Sequence, residues 1–257
     1  MNRAEIRQHI IVAGLEAYLP NFEEVIVPAI DLYDSGLCEN NIPIGGSKHD
    51  GKPDLPPEFI WPHDASGMPM EFILQINLEE TVALDAEELL PKTGLLSFFL
   101  SCDGEGDSVL GESGVYFFPD LFALTRRDIA RSEPGKGIRF GRSWGAPQWG
   151  TSPDGKLGFL ENRDWPHALA ELQWGGTQLL GQPNDYQGEL EPMCEEIFTG
   201  RPIRDLTPEE QQQTYRDWVC LFKESEFSGG VFSHNWLIRR EHLRVADFSQ
   251  VIRIDVN

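Results

Sequence analysis

The alternation of apolar and polar positions predicts a helix first. Ile6, Ile10, Ala13 and Ala17 fall on one helical face, and Ile11, Leu15 and Tyr18 widen that stripe. An amphipathic helix is therefore expected over residues 1–20, ended by Pro20. From residue 20 to 70 prolines and glycines crowd the chain, so loops and short extended pieces are expected there. The run MEFILQINL at 70–78 predicts a buried strand, and DAEELL at 85–90 a turn or two of helix capped by Asp85. GLLSFFLSC and GVYFFPDLF predict two apolar strands joined by the polar loop DGEGDSVLGES, longer than an ordinary hairpin connection. Short strands among glycines and tryptophans are expected over residues 126–158. PHALAELQW at 166–174 predicts a helix with Pro166 in its first turn. TPEEQQQTYRDW at 207–218 predicts another, opened by a capping box of Thr207 and Glu210 with Pro208 at the first helical position. WVCLFKES, GGVFSHNWLI and QVIRIDV follow as strands.

Strands thus outnumber helices and most are separated by turns, not by helices at regular intervals. That order predicts an α+β fold, mostly antiparallel sheet, with an N-terminal helix and a few short peripheral helices. The 25 glycines and 18 prolines of the 257-residue chain agree with many short elements and shaped turns. No linker-like shift in composition divides the chain, so a single domain over 1–257 is expected. Within it two stretches echo each other. IGGSKHDGKPDLP leads to FILQINL and GLLSFFL; GGTQLLGQPNDYQGE leads to WVCLFKES and GGVFSHNWLI. A weak internal duplication is expected, with one β unit at 42–120 and a second at 175–256.

The segments GGSKHDGKPDLPPEFIWP, PMEFILQINL, LPKTGLLSFF, LLGQPNDYQGE and LRVADFSQV, in this order between about residues 42 and 252, resemble the YwqG-like family of soluble proteins. The resemblance implies one α+β domain with an internally duplicated sheet and brings no catalytic residues with it. The chain departs from the family pattern in its second apolar strand. There Lys223 stands where a glutamine matching Gln75 would be expected.

Charge narrows the classes of partner. A net charge of −21 disfavours nucleic acid and anionic membrane surfaces, since both are held by Lys and Arg. It suits a solubilising surface or a basic protein partner. A basic island interrupts it: Arg126, Arg127, Arg131, Lys136, Arg139 and Arg142 against Asp128 and Glu133, read as charge pairing or as a grip for an anionic ligand. The N-terminus lacks a basic-then-apolar run, and no stretch has the ~20 apolar residues of a membrane helix, so a cytoplasmic location is expected. The cysteines Cys38, Cys102, Cys194 and Cys220 form no C-x-x-C pair and read as free thiols.

Candidate chemistry is sparse. GSKHDGKP from Gly46 approximates the phosphate loop G-x-x-x-x-G-K-[ST], but Pro53 replaces the hydroxyl, and Pro56 and Pro57 block the helix whose N-terminus would hold phosphate. Asp103, Glu105 and Asp107 suggest a calcium loop, yet Ser108 and Gly114 stand where glycine and a bidentate glutamate are required. The histidines at 9, 49, 63, 167, 234 and 242 show no metal-ligand spacing, and there is no G-x-S-x-G elbow. No catalytic residue, metal or cofactor is assigned. The expected function is a cytosolic binding or interaction module, recognising a basic protein partner through its acidic surface. The alternatives are a hydrolase-like enzyme with a His/carboxylate cleft, or small-ligand binding between the duplicated halves. The residues proposed to touch ligand or partner are Lys48, His49, Trp61, Gln75, Lys223 and His234.

Overall fold

The computed structural model describes residues 2–101, 112–128, 133–145, 176–184, 190–224 and 233–256. Its frame is a ten-stranded sheet in which every described pairing is antiparallel. The strands are β1 (Val27–Cys38), β2 (Lys48–His49), β4 (Glu71–Asn77), β5 (Leu95–Leu100), β6 (Ser113–Phe118), β8 (Lys136–Gly145), β9 (Gln178–Leu179), β10 (Trp218–Glu224), β11 (Ser233–Arg239) and β12 (Ile252–Val256). Two further short strands, β3 (Asp54–Leu55) and β7 (Thr125–Arg126), pair with each other outside it. The α+β expectation holds in this coarse form.

The order across the sheet is β12-β11-β10-β9-β1-β8-β2-β4-β5-β6. Outward from β8 run β2, β4, β5 and β6; outward from β1 run β9, β10, β11 and β12. The C-terminal set takes its innermost strand, β1, from the N-terminal part of the chain, and β8, which follows β6 in sequence, stands innermost in the other. Val27–Asp34 and Ile138–Gly145 form the ladder that joins the sets, so neither set leaves the other without breaking it. The sheet curls until its edges nearly meet. Arg253 on β12 donates from Nη1 to the Glu112 carbonyl beside β6 (3.0 Å), and the Phe117 and Phe248 rings lie 5.4 Å apart across the same gap.

Alternation explains what the curled sheet encloses. Leu74 and Ile76 of β4, Leu96 and Phe98 of β5, Ile30 and Leu32 of β1, and Phe222 and Trp236 of β10 and β11 share one core. The Phe98 ring meets Phe222 at 4.9 Å and Trp236 at 5.8 Å, joining the two sets through the interior. Each such side chain removed from water contributes about 1.5–3 kcal/mol. The other face also needs cover. Leu55, Phe59 and Trp61 pack with Phe72 and Phe99 outside the first set. Outside the second, Leu190 and Cys194 of α3 (Leu190–Thr199) pack with Trp218, Leu237 and Ile254.

Several elements differ from expectation. The first helix, α1, runs only Arg3–Val12, because Gly14 turns left-handed at φ +76°. Pro20 does not end a helix but sits in the first turn of α2 (Leu19–Val25), where its missing N–H costs nothing. The region 20–70 holds β1, a 12-residue strand, in place of short pieces only: Pro28 stands near its start, where a missing amide is tolerated. β8 is likewise ten residues long. Residues 85–90 form no helix; Asp85 caps a turn instead, its Oδ2 accepting Leu90 N–H at 2.7 Å. The helix α3 was not expected at all. By contrast α4 (Pro208–Asp217) has the expected capping box, with Glu210 N–H on Thr207 Oγ1 at 3.2 Å and Thr207 N–H on Glu210 Oε2 at 2.7 Å. A short α5 (Arg240–Arg244) follows β11. The hairpin loop with the calcium-like acids, Cys102, the predicted helix at 166–174, Arg131, His167, Trp149, Trp165 and Trp174 lie outside the described residues.

Candidate functional site

The near-phosphate loop is where polar side chains first converge. After β2 the chain reverses through Asp50 and Gly51, both left-handed (φ +55° and +72°), and enters β3. Gly51 is required twice over, because a Cβ there would collide with the Gly135 backbone. No helix follows, and the loop's amides are already taken by the protein's own carboxylates. Glu39 accepts Lys52 N–H at 3.0 Å and Gly135 N–H at 2.7 Å; Asp54 accepts Gly45 N–H at 3.0 Å. An internal carboxylate thus occupies the place a phosphate would need.

Lys48 and Gln75 face each other across β2 and β4. Gln75 Oε1 accepts Asp54 N–H (2.8 Å), and its Nε2 donates to Asp54 Oδ2 and the Gly46 carbonyl (both 2.8 Å). Lys48, with a fully buried side chain, lies 3.5 Å from Asp54 and 3.2 Å from Glu39 and also donates to the Lys52 carbonyl. Arg126 completes the cluster, with Nε 2.9 Å from Asp54 and its Nη atoms on the Glu39 and Ile42 carbonyls. Burial pushes the Asp54 and Glu39 pKa values up, yet the donors around them prevail and hold both carboxyls below their usual range. Two cations thus meet two anions. His49, buried beside Lys48, bonds Asp50 through Nδ1 (2.8 Å), and Trp61 anchors its loop by donating to the Met70 carbonyl (2.8 Å).

The second set has the same local path with different polarity. Leu180 is left-handed at φ +58° ahead of Gly181, as Asp50 is ahead of Gly51. Leu180 N–H donates to Leu221 O as Asp50 N–H donates to Ile73 O. Gln178 faces Lys223 across β9 and β10, the reverse of Lys48 facing Gln75. Asn184 stands where Asp54 does. Among the described residues Lys223 Nζ has one hydrogen-bond partner, Asn184 Oδ1 at 3.2 Å, and no carboxylate within ion-pair distance. Burial, opposed weakly by Cys220 and Asp31, brings its pKa down to about 8. The lysine is held in a net of amides. Asn184 N–H donates to Asn235 Oδ1 (2.7 Å), and Asn184 Nδ2 donates to Ser233 Oγ.

His234 lies apart from both lysines, on β11. Its Nδ1 meets Asp255 Oδ1 at 2.7 Å, and Arg253 Nε meets the same oxygen at 2.8 Å. Of the six residues proposed from sequence, Lys48, His49 and Gln75 are therefore brought together. Trp61, Lys223 and His234 stand in separate surroundings. Of the residues that complete the first cluster, Glu39 and Asp54 were missed, and Arg126 was singled out only as part of the basic island, where its engagement is the charge pairing weighed there. A lysine inside a strand-forming stretch is the signal that such partners are needed. The basic island is mostly engaged internally: beyond Arg126, Arg127 donates to the Phe59 carbonyl (3.3 Å), Arg142 to the Ala83 carbonyl (2.8 Å), and Arg139 lies over the Tyr33 ring (4.5 Å).

Two cavities matter. An open cleft of about 470 Å³ borders Glu39, Lys52, Arg126 and Asp128, where the charged groups already satisfy one another. A smaller one, about 70 Å³, lies at the seam of the two sets. The turn Leu84–Leu89 between β4 and β5 walls it on one side, and Leu180–Pro183 and Trp218–Cys220 on the other; Glu191, Tyr215 and Arg240 add α3, α4 and α5. Asp85, 9 % exposed, has its Oδ1 buried and without a hydrogen-bond partner among the described residues. Arg240 spans the seam, with Nη1 3.2 Å from Glu87 Oε2 and Nε 2.9 Å from the Arg216 carbonyl. Burial pushes the Cys220 thiol in this wall up to about 12, which makes it a poor nucleophile. None of the six sequence-proposed residues borders this cavity, and among the described residues neither cavity is lined by a histidine. Only the acid-rich turn DAEELLP hinted at it, and there Asp85 reads equally well as a cap.

Among the described residues no group of three His, Cys, Asp or Glu side chains is placed to hold a metal ion, and no helix is long and apolar enough to cross a membrane. Residues 47–122, from β2 through β6, match the model of a family described as a domain of unknown function, DUF1963. No curated protein matches the chain.

Proposed function

We propose that the protein is a small-ligand-binding module whose ligand sits in the seam cavity. The observation that carries this reading is the cavity itself, a space of about 70 Å³ bounded by both strand sets and by side chains of α3, α4 and α5. Within the same proposal the chain is one YwqG-like domain, cytoplasmic, whose units at 42–120 and 175–256 descend from a duplication. The paired left-handed turns and the reversed Lys/Gln pairing support that descent. It turns the seam into the place where two copies of one unit face each other. Ala86 borders the cavity from an exposed position, so Ala86→Trp should obstruct the mouth without disturbing the core. Compounds that raise the melting temperature of the wild type should lose that effect in the variant. Equal stabilisation of both proteins would place the ligand elsewhere.

A second reading, recognition of a basic protein partner, rests on the net charge of −21. Its mark would be capture that weakens steeply as salt rises toward a molar, since exposed charges are then screened beyond ~3 Å. Partners retained unchanged at high salt would count against it. The hydrolase alternative draws support from the hydrogen-bonded His–carboxylate pairs His49–Asp50 and His234–Asp255.

A further inference from the structure

We propose that the loop after β2 is a carboxylate-binding nest, and that the chain closes this nest on itself with Glu39. The inference is independent of the seam cavity. Three donors converge where the Glu39 carboxylate sits. Lys52 N–H (3.0 Å) and Lys48 Nζ (3.2 Å) meet Oε1, and Gly135 N–H (2.7 Å) meets Oε2. Arg126 Nε stands 4.0 Å from Oε1. The backbone is shaped to admit those oxygens: a Cβ on Gly51 would overlap Oε2, and one on Gly135 would lie 2.9 Å from it. Backbone amides gathered beside fixed cations make a concavity of the kind that binds anions. The donors define two oxygen positions, which match a planar carboxylate better than a tetrahedral phosphate.

The nest has an approach from solvent. Glu39, Lys52 and Arg126 border the open cleft of about 470 Å³, room for the body of a small acid whose carboxylate enters the nest. Glu39 itself arrives from outside the core. It follows the outer end of β1, where the register with β8 breaks between Asp34 and Cys38 and where Gly36, Leu37 and Cys38 are exposed. Gly36 turns left-handed there (φ +77°). The segment 35–41 buries no side chain. Its ties include the bond from Arg126 Nη1 to the Glu39 carbonyl (3.0 Å) and the pairing of Cys38 with Lys136. Withdrawal of this segment uncovers two amides and two cations and leaves the central core closed. A carboxylate on the same chain competes at high effective concentration, so a free acid meets the nest mainly when Glu39 has left it.

Calorimetric titration of the full chain with formate, exchanged for chloride at constant ionic strength, tests the nest. Glu39→Ala empties it and should bind formate saturably, at least about tenfold more tightly than the wild type, in which Glu39 competes. Formamide, similar in shape but uncharged, should bind that variant at least about tenfold more weakly than formate. Phosphate binding more tightly than formate would overturn the carboxylate assignment. Glu39→Gln keeps the side-chain volume in place and should not respond; formate binding equally to the Gln and Ala variants would place the site elsewhere. An Ala variant blind to formate would overturn the nest. If Glu39→Ala fails to fold, recovery in formate but not in chloride is expected, and recovery in neither overturns the proposal. The closing movement is read in the wild type by amide hydrogen exchange. Lys52 and Gly135 N–H should exchange at least about tenfold faster than Ile138 N–H, which bonds the Ser47 carbonyl at 3.0 Å. Equal protection of the three would make Glu39 a fixed structural ion and overturn its role as a gate.

Discussion

Lys48 and Lys223 are two lysines buried in corresponding cross-strand Lys/Gln pairs of the two strand sets, on opposite members of the pair, and they are buried in opposite ways. Lys48 stands between Glu39 and Asp54 with Arg126 close by, a cluster that balances its charge. Lys223 has an asparagine oxygen and no carboxylate within ion-pair distance among the described residues. The backbone paths are alike, down to the left-handed residue before each glycine. A shared path therefore does not fix shared electrostatics: it fixes where a buried polar pair must be, and the residue types decide whether that pair is charged.

The largest effect should come from removing the carboxylate at the centre of the first cluster. Asp54→Ala would strip Lys48 and Arg126 of a shared partner and leave Gly45 N–H and one N–H of Gln75 without an acceptor. The expected loss is about 3–5 kcal/mol, the usual cost of uncompensating a buried ion pair. The corresponding Asn184→Ala breaks only neutral and singly charged bonds and should cost about 1–3 kcal/mol. Urea denaturation of both variants measures the gap, and equal losses would break the comparison.

Identical substitutions of the two lysines should differ in sign. Lys48→Gln leaves two carboxylates short of a cation and is expected to cost about 3 kcal/mol or more. Lys223→Gln removes a charge that burial disfavours and places an amide among amides. It should stabilise the protein at neutral pH by about 1–3 kcal/mol, less than the full pKa displacement implies because the bond to Asn184 must be remade. A destabilised Lys223→Gln would show that the amine is better compensated than Asn184 alone allows.

The pH dependence follows from the same contrast. Lys223 titrates at about 8 when folded against 10.5 as the ordinary value, so between those limits the unfolded chain binds more protons. Its contribution to the stability difference therefore rises with pH across that window, and the penalty is fully present below pH 8. Cys220, held up at about 12, works the other way above pH 9, because the unfolded thiol ionises first. The term belonging to Lys223 is thus the wild-type curve minus that of Lys223→Gln, which should climb by up to about 3 kcal/mol from pH 8 to 10.5. A flat difference would deny the lysine its depressed pKa. The first cluster acts at the acid end. Asp54 and Glu39 ionise below their usual range, so their stabilisation is present at neutral pH and is lost as pH falls below about 4.

Much of the sheet was legible because its strands are apolar runs bounded by turns. β4, β5, β10 and β11 show this, and so does the capping box that opens α4. β1 was not legible: VPAIDLYDSGLC carries a proline, a glycine and three polar residues, and its long ladder with β8 makes it a strand regardless. α3 was hidden similarly, since the packing of Leu190 and Cys194 on the sheet stabilises a helix that Pro192 obscures in sequence. Gln75 and Lys48 stood out as polar residues within strand-forming stretches, and they do mark a polar cluster. The seam cavity was invisible, because its walls come from separate segments scattered between Val27 and Arg240. No local pattern records that Asp85 and Cys220 border the same space.

The smallest expected effect tests how closely the two turns correspond. Asp50 and Leu180 hold nearly the same left-handed φ, a conformation that costs ordinary side chains about 1–2 kcal/mol and aspartate less. At position 50 the side chain is half-exposed and its tie is the bond to His49. Asp50→Gly should relieve the strain and lose little else, for a net change within about 0.5 kcal/mol of zero. At position 180 the leucine is buried and belongs to the central core. Leu180→Gly gives back the same strain but loses about 2 kcal/mol of apolar burial, and should come out destabilised by about 1 kcal/mol. Thermal denaturation resolves a difference of that size. If both glycine variants gain equally, Leu180 contributes nothing to the core, and the second turn, like the first, is held by its backbone alone.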